Sequence, residues 1–273
     1  MGSRVGSVIE TPFGLAVDEV PLPRAPLAFV VGQARFERVA SVSSEGFIGG
    51  FQEEIRGTYP VMQRAQQAGV LIGPDGQIVT ADAGVIWQFD ECPIGWQVVL
   101  APDFVALSTK QYSRRQDFLD RLQTVLTAAQ QELRVRFCTR LGIRYVDRVS
   151  DPALLGRLPE LLKPEVLGVA CIDLGEKGVE AIHNFVDATY RIPGGVDLHA
   201  RWGVLPANVT FDPAIEAAEA QSWVLDVDAF STEQAPFEPR SLIDEATRLT
   251  ELIYRFFRWA VRDEFLRAHG GRP

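Results

Sequence analysis

Between Arg134 and Val149 the chain alternates. Arg134, Arg136, Arg140, Arg144 and Arg148 fall on even numbers, while the odd positions Val135, Phe137, Leu141, Ile143, Tyr145 and Val149 are apolar. Successive side chains of a strand point to opposite faces, so this period of two predicts one long strand with an oily face and an arginine face. Five of the chain's 27 basic residues sit on that stripe, although the net charge is −9. Such a stripe either binds something anionic or pairs with acids on neighbouring strands.

The acidic balance argues against generic binding to nucleic acid or to an anionic membrane, both of which select a basic excess, and leaves only a local basic groove open. With 273 residues, 47% of them hydrophobic, the chain can bury a sizeable core. No run of about 18 apolar residues offers a membrane span. Met1 to Val20 lacks the apolar centre of a signal peptide. Cys92, Cys138 and Cys171 are odd in number and widely spaced. They form neither a disulfide framework nor a C-x-x-C site, so a cytoplasmic protein is expected. Asn208-Val209-Thr210 then has no glycosylation meaning.

Residues 1–26, rich in Gly and Pro, predict an irregular lead-in. Leu27 to Phe36 is expected to be a strand and Phe47 to Arg56 a short helix broken at Tyr59-Pro60. Strands are expected over Val85 to Asp90, Trp96 to Leu100 and Phe104 to Ser108, then a helix over Ser113 to Leu133. After the arginine strand come one or two helical turns within Pro152 to Leu162. Strands follow over Ala181 to Ile192, Val196 to Val204 and Ser222 to Phe230. A long helix closes the chain from about Ser241 to about His269, with Ser241 and Asp244 resembling a capping box and Gly270-Gly271 as its stop.

The order strand, short helix, three strands, long helix occurs twice. The expected fold is therefore α+β in two similar halves, residues 27–133 and 134–273, each an antiparallel sheet backed by a long helix. Arg35-Phe36-Glu37-Arg38-Val39 echoes Arg144-Tyr145-Val146-Asp147-Arg148-Val149, and Trp96-Gln97-Val98-Val99-Leu100 echoes Trp223-Val224-Leu225-Asp226-Val227. A cleft or saddle is expected where the halves join, with arginines of both first strands turned toward it.

Four features together carry a resemblance: Pro23-x-x-Pro26 before the first strand, Phe51-Gln52 to Tyr59-Pro60, Asp103-Phe104-Val105 to Tyr112, and above all Arg140-x-Gly142-Ile143-Arg144-Tyr145-x-Asp147-Arg148-Val149. This pattern resembles a sporadically distributed family of conserved hypothetical bacterial proteins of about this length, in which Asn often stands at the position of Asp147. The resemblance covers most of the chain and implies no established biochemistry. Sporadic distribution implies a gene that moves horizontally, as accessory and phage-defence genes do.

Catalytic signatures are sparse. There is no G-x-S-x-G elbow, no H-E-x-x-H helix and no clustered Cys and His. Gly2 to Gly6 and Gly46 to Gly50 lack the Lys-Ser/Thr of a phosphate-cradling loop. The three histidines, His183, His199 and His269, suit structural or surface roles, and only His183 and His199 could meet, on adjacent strands. Asp226 and Asp228 lie on one strand face and look like a polymerase metal motif, or are solvent-face acids, or neutralise the arginines. The stripe keeps three readings: an internal charge ladder, a site for a phosphate or carboxylate, and a nucleic-acid saddle. The last wants aromatics on the same face, and Tyr145 and Phe137 are on the other. The expected function is a non-catalytic protein, without cofactor, that binds a protein partner or a small anionic ligand through Arg35, Arg38, Arg140, Arg144 and Arg148. The alternative is a metal-dependent enzyme on a nucleotide or phosphorylated substrate, with Asp226 and Asp228 as ligands. The last helix, aromatic nearly all round, is a core helix whose Trp259 could extend to a partner or a homodimer interface.

Overall fold

The computed structural model describes residues 11–15, 17–72, 78–93, 95–171, 175, 179 and 182–273. Residues 1–10 and 16 of the lead-in, Gly2 to Gly6 among them, and Ala181 lie outside this set. The elements in chain order begin with β1 (Leu27–Phe36), α1 (Glu45–Ile55), β2 (Val61–Ile72), β3 (Ile78–Asp90), β4 (Trp96–Ala101), β5 (Phe104–Thr109) and α2 (Arg115–Leu133). Then come β6 (Phe137–Val149), α3 (Pro152–Leu155), α4 (Leu158–Leu161), α5 (Pro164–Leu167), β7 (Asn184–Ile192), β8 (Val196–Leu205), β9 (Ser222–Ser231), β10 (Ala235–Pro236), α6 (Pro239–Ala260) and α7 (Asp263–Ala268). All strands join one antiparallel sheet, ordered β2-β3-β4-β5-β1-β6-β9-β8-β7, with β10 paired to the start of β6. The protein is thus α+β.

The sheet runs unbroken through its middle, where β1 and β6 are hydrogen-bonded with Gly32 opposite Ile143 and Arg35 opposite Arg140. Residues 27–133 and 134–273 therefore meet along a hydrogen-bonded ladder, with no gap in the sheet at that line. Backbone pairing there removes the unsatisfied edge that each first strand would otherwise expose. The helices α1, α2 and α6 lie on one face. Buried residues from both stretches, such as Val30, Phe118, Leu122, Ile143, Leu225, Leu249 and Phe256, form one core cluster. Alternation explains the placement: the odd positions Leu141, Ile143 and Val149 of β6 enter the core, and Arg140, Arg144 and Arg148 turn to the opposite face.

Four expectations about elements are corrected. The stripe is shorter than the even-numbered arginines suggested, because Arg134 closes α2 in a left-handed conformation (φ 54°) and Arg136 precedes β6. A long β2–β3 hairpin runs where only Val85 to Asp90 was expected. Gln63, Arg64, Gln66 and Gln67 have little intrinsic strand preference, and it is the ladder to β3 that holds them extended. The last helix is two helices. Residues 161–163 capture its backbone: Lys163 N donates to Ala260 O (3.0 Å) and Arg262 N to Leu161 O (2.8 Å), which ends α6 before α7 begins. Finally, α6 starts earlier than Ser241. Glu238 is its cap, accepting from the backbone amides of Arg240 (3.3 Å) and Ser241 (2.6 Å), with Pro239 in the first turn.

At Gly203 in β8 the backbone takes φ +153°, and an added Cβ would collide with the carbonyl of Asn184 across the ladder. Gly203→Ala should therefore destabilise the protein by about 2 kcal/mol or more, seen as a lower urea midpoint with an unchanged slope. A midpoint equal to that of the unsubstituted protein would contradict this close approach.

Candidate functional site

On the face away from the helices the arginines of β6 meet acids supplied by β9. Arg144 donates to Asp226 from Nε (2.7 Å) and Nη2 (3.1 Å), and reaches Asp212 from Nη2 at 2.8 Å. Arg201 of β8 comes from the other side of β9 and bonds the second oxygen of the same Asp226, through Nε at 2.8 Å and through Nη2. Asp226 is 1% exposed. One buried carboxylate thus holds two guanidinium groups across three strands. Burial pulls the Arg144 pKa down, but the Asp226 hydrogen bonds and the charges of Asp226 and Asp212 outweigh it and raise the value.

Arg140 lies over the backbone of Gly142 and donates to Asp228 (2.8 Å), with its guanidinium 4.1 Å from the centre of the Phe230 ring. A side chain at residue 142 would displace that guanidinium from its present position over the backbone. Burial pushes the Asp228 carboxyl up despite Arg140 and Arg144 nearby. Arg148 donates from Nη1 to the Glu216 carbonyl (2.7 Å), while its Nε and Nη2 are buried without a partner among the described residues. The segment between β8 and β9 therefore covers this end of the stripe, also through Lys110 paired to Glu216 (2.5 Å) and Arg201 over Phe211 (4.8 Å).

The remaining arginines of the expected site are peripheral. Arg35 stands opposite Arg140 in register, is exposed and donates to Gln33 (3.1 Å). Arg38 is exposed beyond the end of β1. The structure brings Arg140 and Arg144 together with Asp226 and Asp228, and leaves Arg35 and Arg38 outside that cluster. Both oxygens of Asp226 face guanidinium donors, and among the described residues no group of three or more His, Cys, Asp or Glu is placed to hold a metal ion.

The histidines do not meet. His183 precedes β7 and is exposed; His199 pairs in register with Thr189, and its Nε2 is 2.7 Å from the Asp187 carboxylate. His269 is buried against the end of α7, with Nδ1 2.8 Å from Phe265 O. The Cys138 thiol is pushed up to about 11 by burial. Trp259 is half-buried, its ring tilted at 59° against Phe256, with Lys163 Nζ 5.8 Å above its ring.

The opposite, helix-covered face of β6 holds a feature that the arginine pattern hid. Asp147 is an odd-numbered residue, so it points with Tyr145 toward the helices. It is 6% exposed, and among the described residues its side chain makes no hydrogen bond or ion pair. Burial alone raises its carboxyl pKa to about 7. It lines a cavity of about 340 Å³ between the start of α2, the C-terminal turns of α6 and the lead-in, whose walls include Tyr112, Tyr145, Val227, Tyr254 and Phe257. The Tyr112 and Tyr145 hydroxyls are 3.2 Å apart, and burial pushes Tyr112 up to about 12. Tyr254 ties the lead-in down as the roof, accepting from Val20 N (2.7 Å) and donating to Asp18 O (3.4 Å). Arg115 is occupied by Glu19 (3.4 Å) and by the Tyr254 ring (5.6 Å). Exposed Pro21, Pro23 and Ala25 form part of the rim. The sequence signal for this site was an acid on the oily face of an alternating strand.

Among the described residues no helix is long and apolar enough to cross a membrane. Neither a protein-family model nor a curated protein matches the chain.

Proposed function

We propose that this is a non-catalytic binding protein whose ligand is a small molecule held in the cavity beside Asp147. The observation that carries this reading is a buried carboxyl with no partner facing a largely apolar cavity. A polar group in that state costs about 1–3 kcal/mol or more, and perturbed acids in apolar pockets are a recurrent mark of ligand sites. The arginine face then serves the fold, as an ion-pair ladder between β6, β9 and β8. A protein partner or an anionic ligand on that face is the second reading, supported by the unpaired donors of Arg148 and by exposed Arg35 and Arg38. A metal-dependent enzyme built on Asp226 and Asp228 is the weakest, since a metal would have to displace two guanidinium groups from Asp226.

We also read the chain as two copies of one unit. In support, β1 and β6 pair antiparallel near the middle of the sheet. Each is followed by strands that return toward it from the sheet's edge, β2 to β5 on one side and β7 to β9 on the other, and then by a long helix on the shared face. On that reading the cavity lies at the junction of the copies, between their two long helices.

A neutral apolar fluorophore, N-phenylnaphthylamine, tests the cavity. Saturable enhancement of its emission is expected with the native protein and is lost in Ala25→Trp, which fills the rim at an exposed position. Emission that rises without saturating, or is indifferent to Ala25→Trp, would sink the assignment.

A further inference from the structure

The cavity's chemistry narrows its ligand, an inference that rests on the cavity being the binding site. We infer that the occupant is a small organic cation, an amine or quaternary ammonium on an aromatic or aliphatic body, with its charged head at Asp147 and its body among Tyr112, Tyr145, Tyr254 and Phe257.

Three observations converge. First, Asp147 is buried and unpartnered, so its ionised form waits for a positive counter-charge that the protein does not supply. Arg114 and Arg115 are the cationic residues on the cavity wall, yet Arg114 is exposed to solvent and Arg115 is engaged with Glu19 and the Tyr254 ring, and burial alone sets the raised Asp147 carboxyl. Second, three tyrosine rings and Phe257 line the same space. Aromatic faces carry negative potential and attract cations, most strongly when water is displaced, and an aromatic enclosure beside a carboxylate is the arrangement that recognises ammonium groups. Third, about 340 Å³ is at the lower end of small-molecule pockets, room for a compact amphiphile rather than for a peptide. An anion is disfavoured by the same facts: it would meet the Asp147 carboxyl, while Arg115 is already paired with Glu19 and Arg114 is exposed to solvent.

The titratable and charged groups facing Asp147 across this space are Glu19 of the lead-in, Tyr112, Arg114 and Arg115 before and at the start of α2, Tyr145 of β6 and Tyr254 of α6. With its carboxyl raised to about 7, Asp147 gives up its proton when a cation arrives near neutral pH, so binding strengthens as pH rises through that value.

The test is calorimetric titration of the full chain with phenethylamine, phenethyltrimethylammonium, phenylpropanol and phenylpropionate, in two buffers of different ionisation enthalpy. The two cations are expected to bind roughly tenfold or more tighter than phenylpropanol at about pH 8, with proton release near pH 7 and no binding of phenylpropionate. Asp147→Asn is expected to erase the preference for cations and the proton release while phenylpropanol still binds, which also shows that the variant is folded. Phenylpropanol or phenylpropionate binding as well as the amines would overturn the cation assignment and leave the cavity standing. So would a cation preference that survives Asp147→Asn, or silence from both cations in a protein that binds N-phenylnaphthylamine. Silence from all of these probes would remove the cavity reading as well.

Discussion

Asp147→Asn should make the protein more stable above neutrality and flatten its pH dependence. Asp147 holds its proton in the folded state up to about pH 7, whereas an unfolded chain releases it at about pH 4. Between those values the native state binds more protons than the unfolded one, so the free energy of unfolding falls as pH rises. The gap between the folded and unfolded carboxyl corresponds to about 4 kcal/mol, and above pH 7 that full penalty is present. Asn is nearly the same size and has no proton to lose. Urea unfolding of the two proteins should coincide near pH 4 and diverge steadily to about pH 8, with the variant the more stable. Parallel stability curves would mean that water or a protein group already stabilises the carboxylate.

The second large effect is expected at Asp226. Its two oxygens accept from Arg144 and Arg201, and it is 1% exposed. Asp226→Ala leaves two largely desolvated guanidinium groups sharing only Asp212, at 2.8 Å from Arg144 and 3.5 Å from Arg201. Breaking a buried pair from one side costs about 3–5 kcal/mol, most of it the stranded charge. Replacing Arg144 and Arg201 by Met along with Asp226→Ala should recover part of that loss, because the two desolvated guanidinium groups are gone and only Asp212, about one-fifth exposed, is left without its partners. By contrast Arg35→Ala, at an exposed residue bonded only to Gln33, should shift stability by less than about 0.5 kcal/mol. A loss at Asp226 no larger than that at Arg35 would contradict the ladder.

The two expectations separate the faces of β6 by experiment. One face is a charge lattice whose removal weakens the sheet. The other holds a charge whose removal strengthens it, and a position that a protein keeps against its own stability is a candidate for binding.

Most element positions were legible because period and punctuation are local. β1 starts and ends where alternation and the flanking residues place it, and β4, β5, β8 and β9 lie within a residue of their expected ends. The misses have a common cause. The break between α6 and α7 comes from hydrogen bonds made by residues 161–163, about a hundred positions away, and no feature of the helix itself marks it. The β2–β3 hairpin owes its length to mutual pairing rather than to its own residues.

For the candidate site, alternation by itself determined that Arg140, Arg144 and Arg148 share one face of a strand, and that Tyr145 and Asp147 share the other. It could not say what each face meets. Only the tertiary arrangement decided that Asp226 and Asp228 stand against the arginines, and that the acid on the oily side finds a cavity rather than a partner. The physical reason is range: side-chain direction is set by each residue's own backbone, whereas the sign of a charge's environment is set by strands and helices far along the chain.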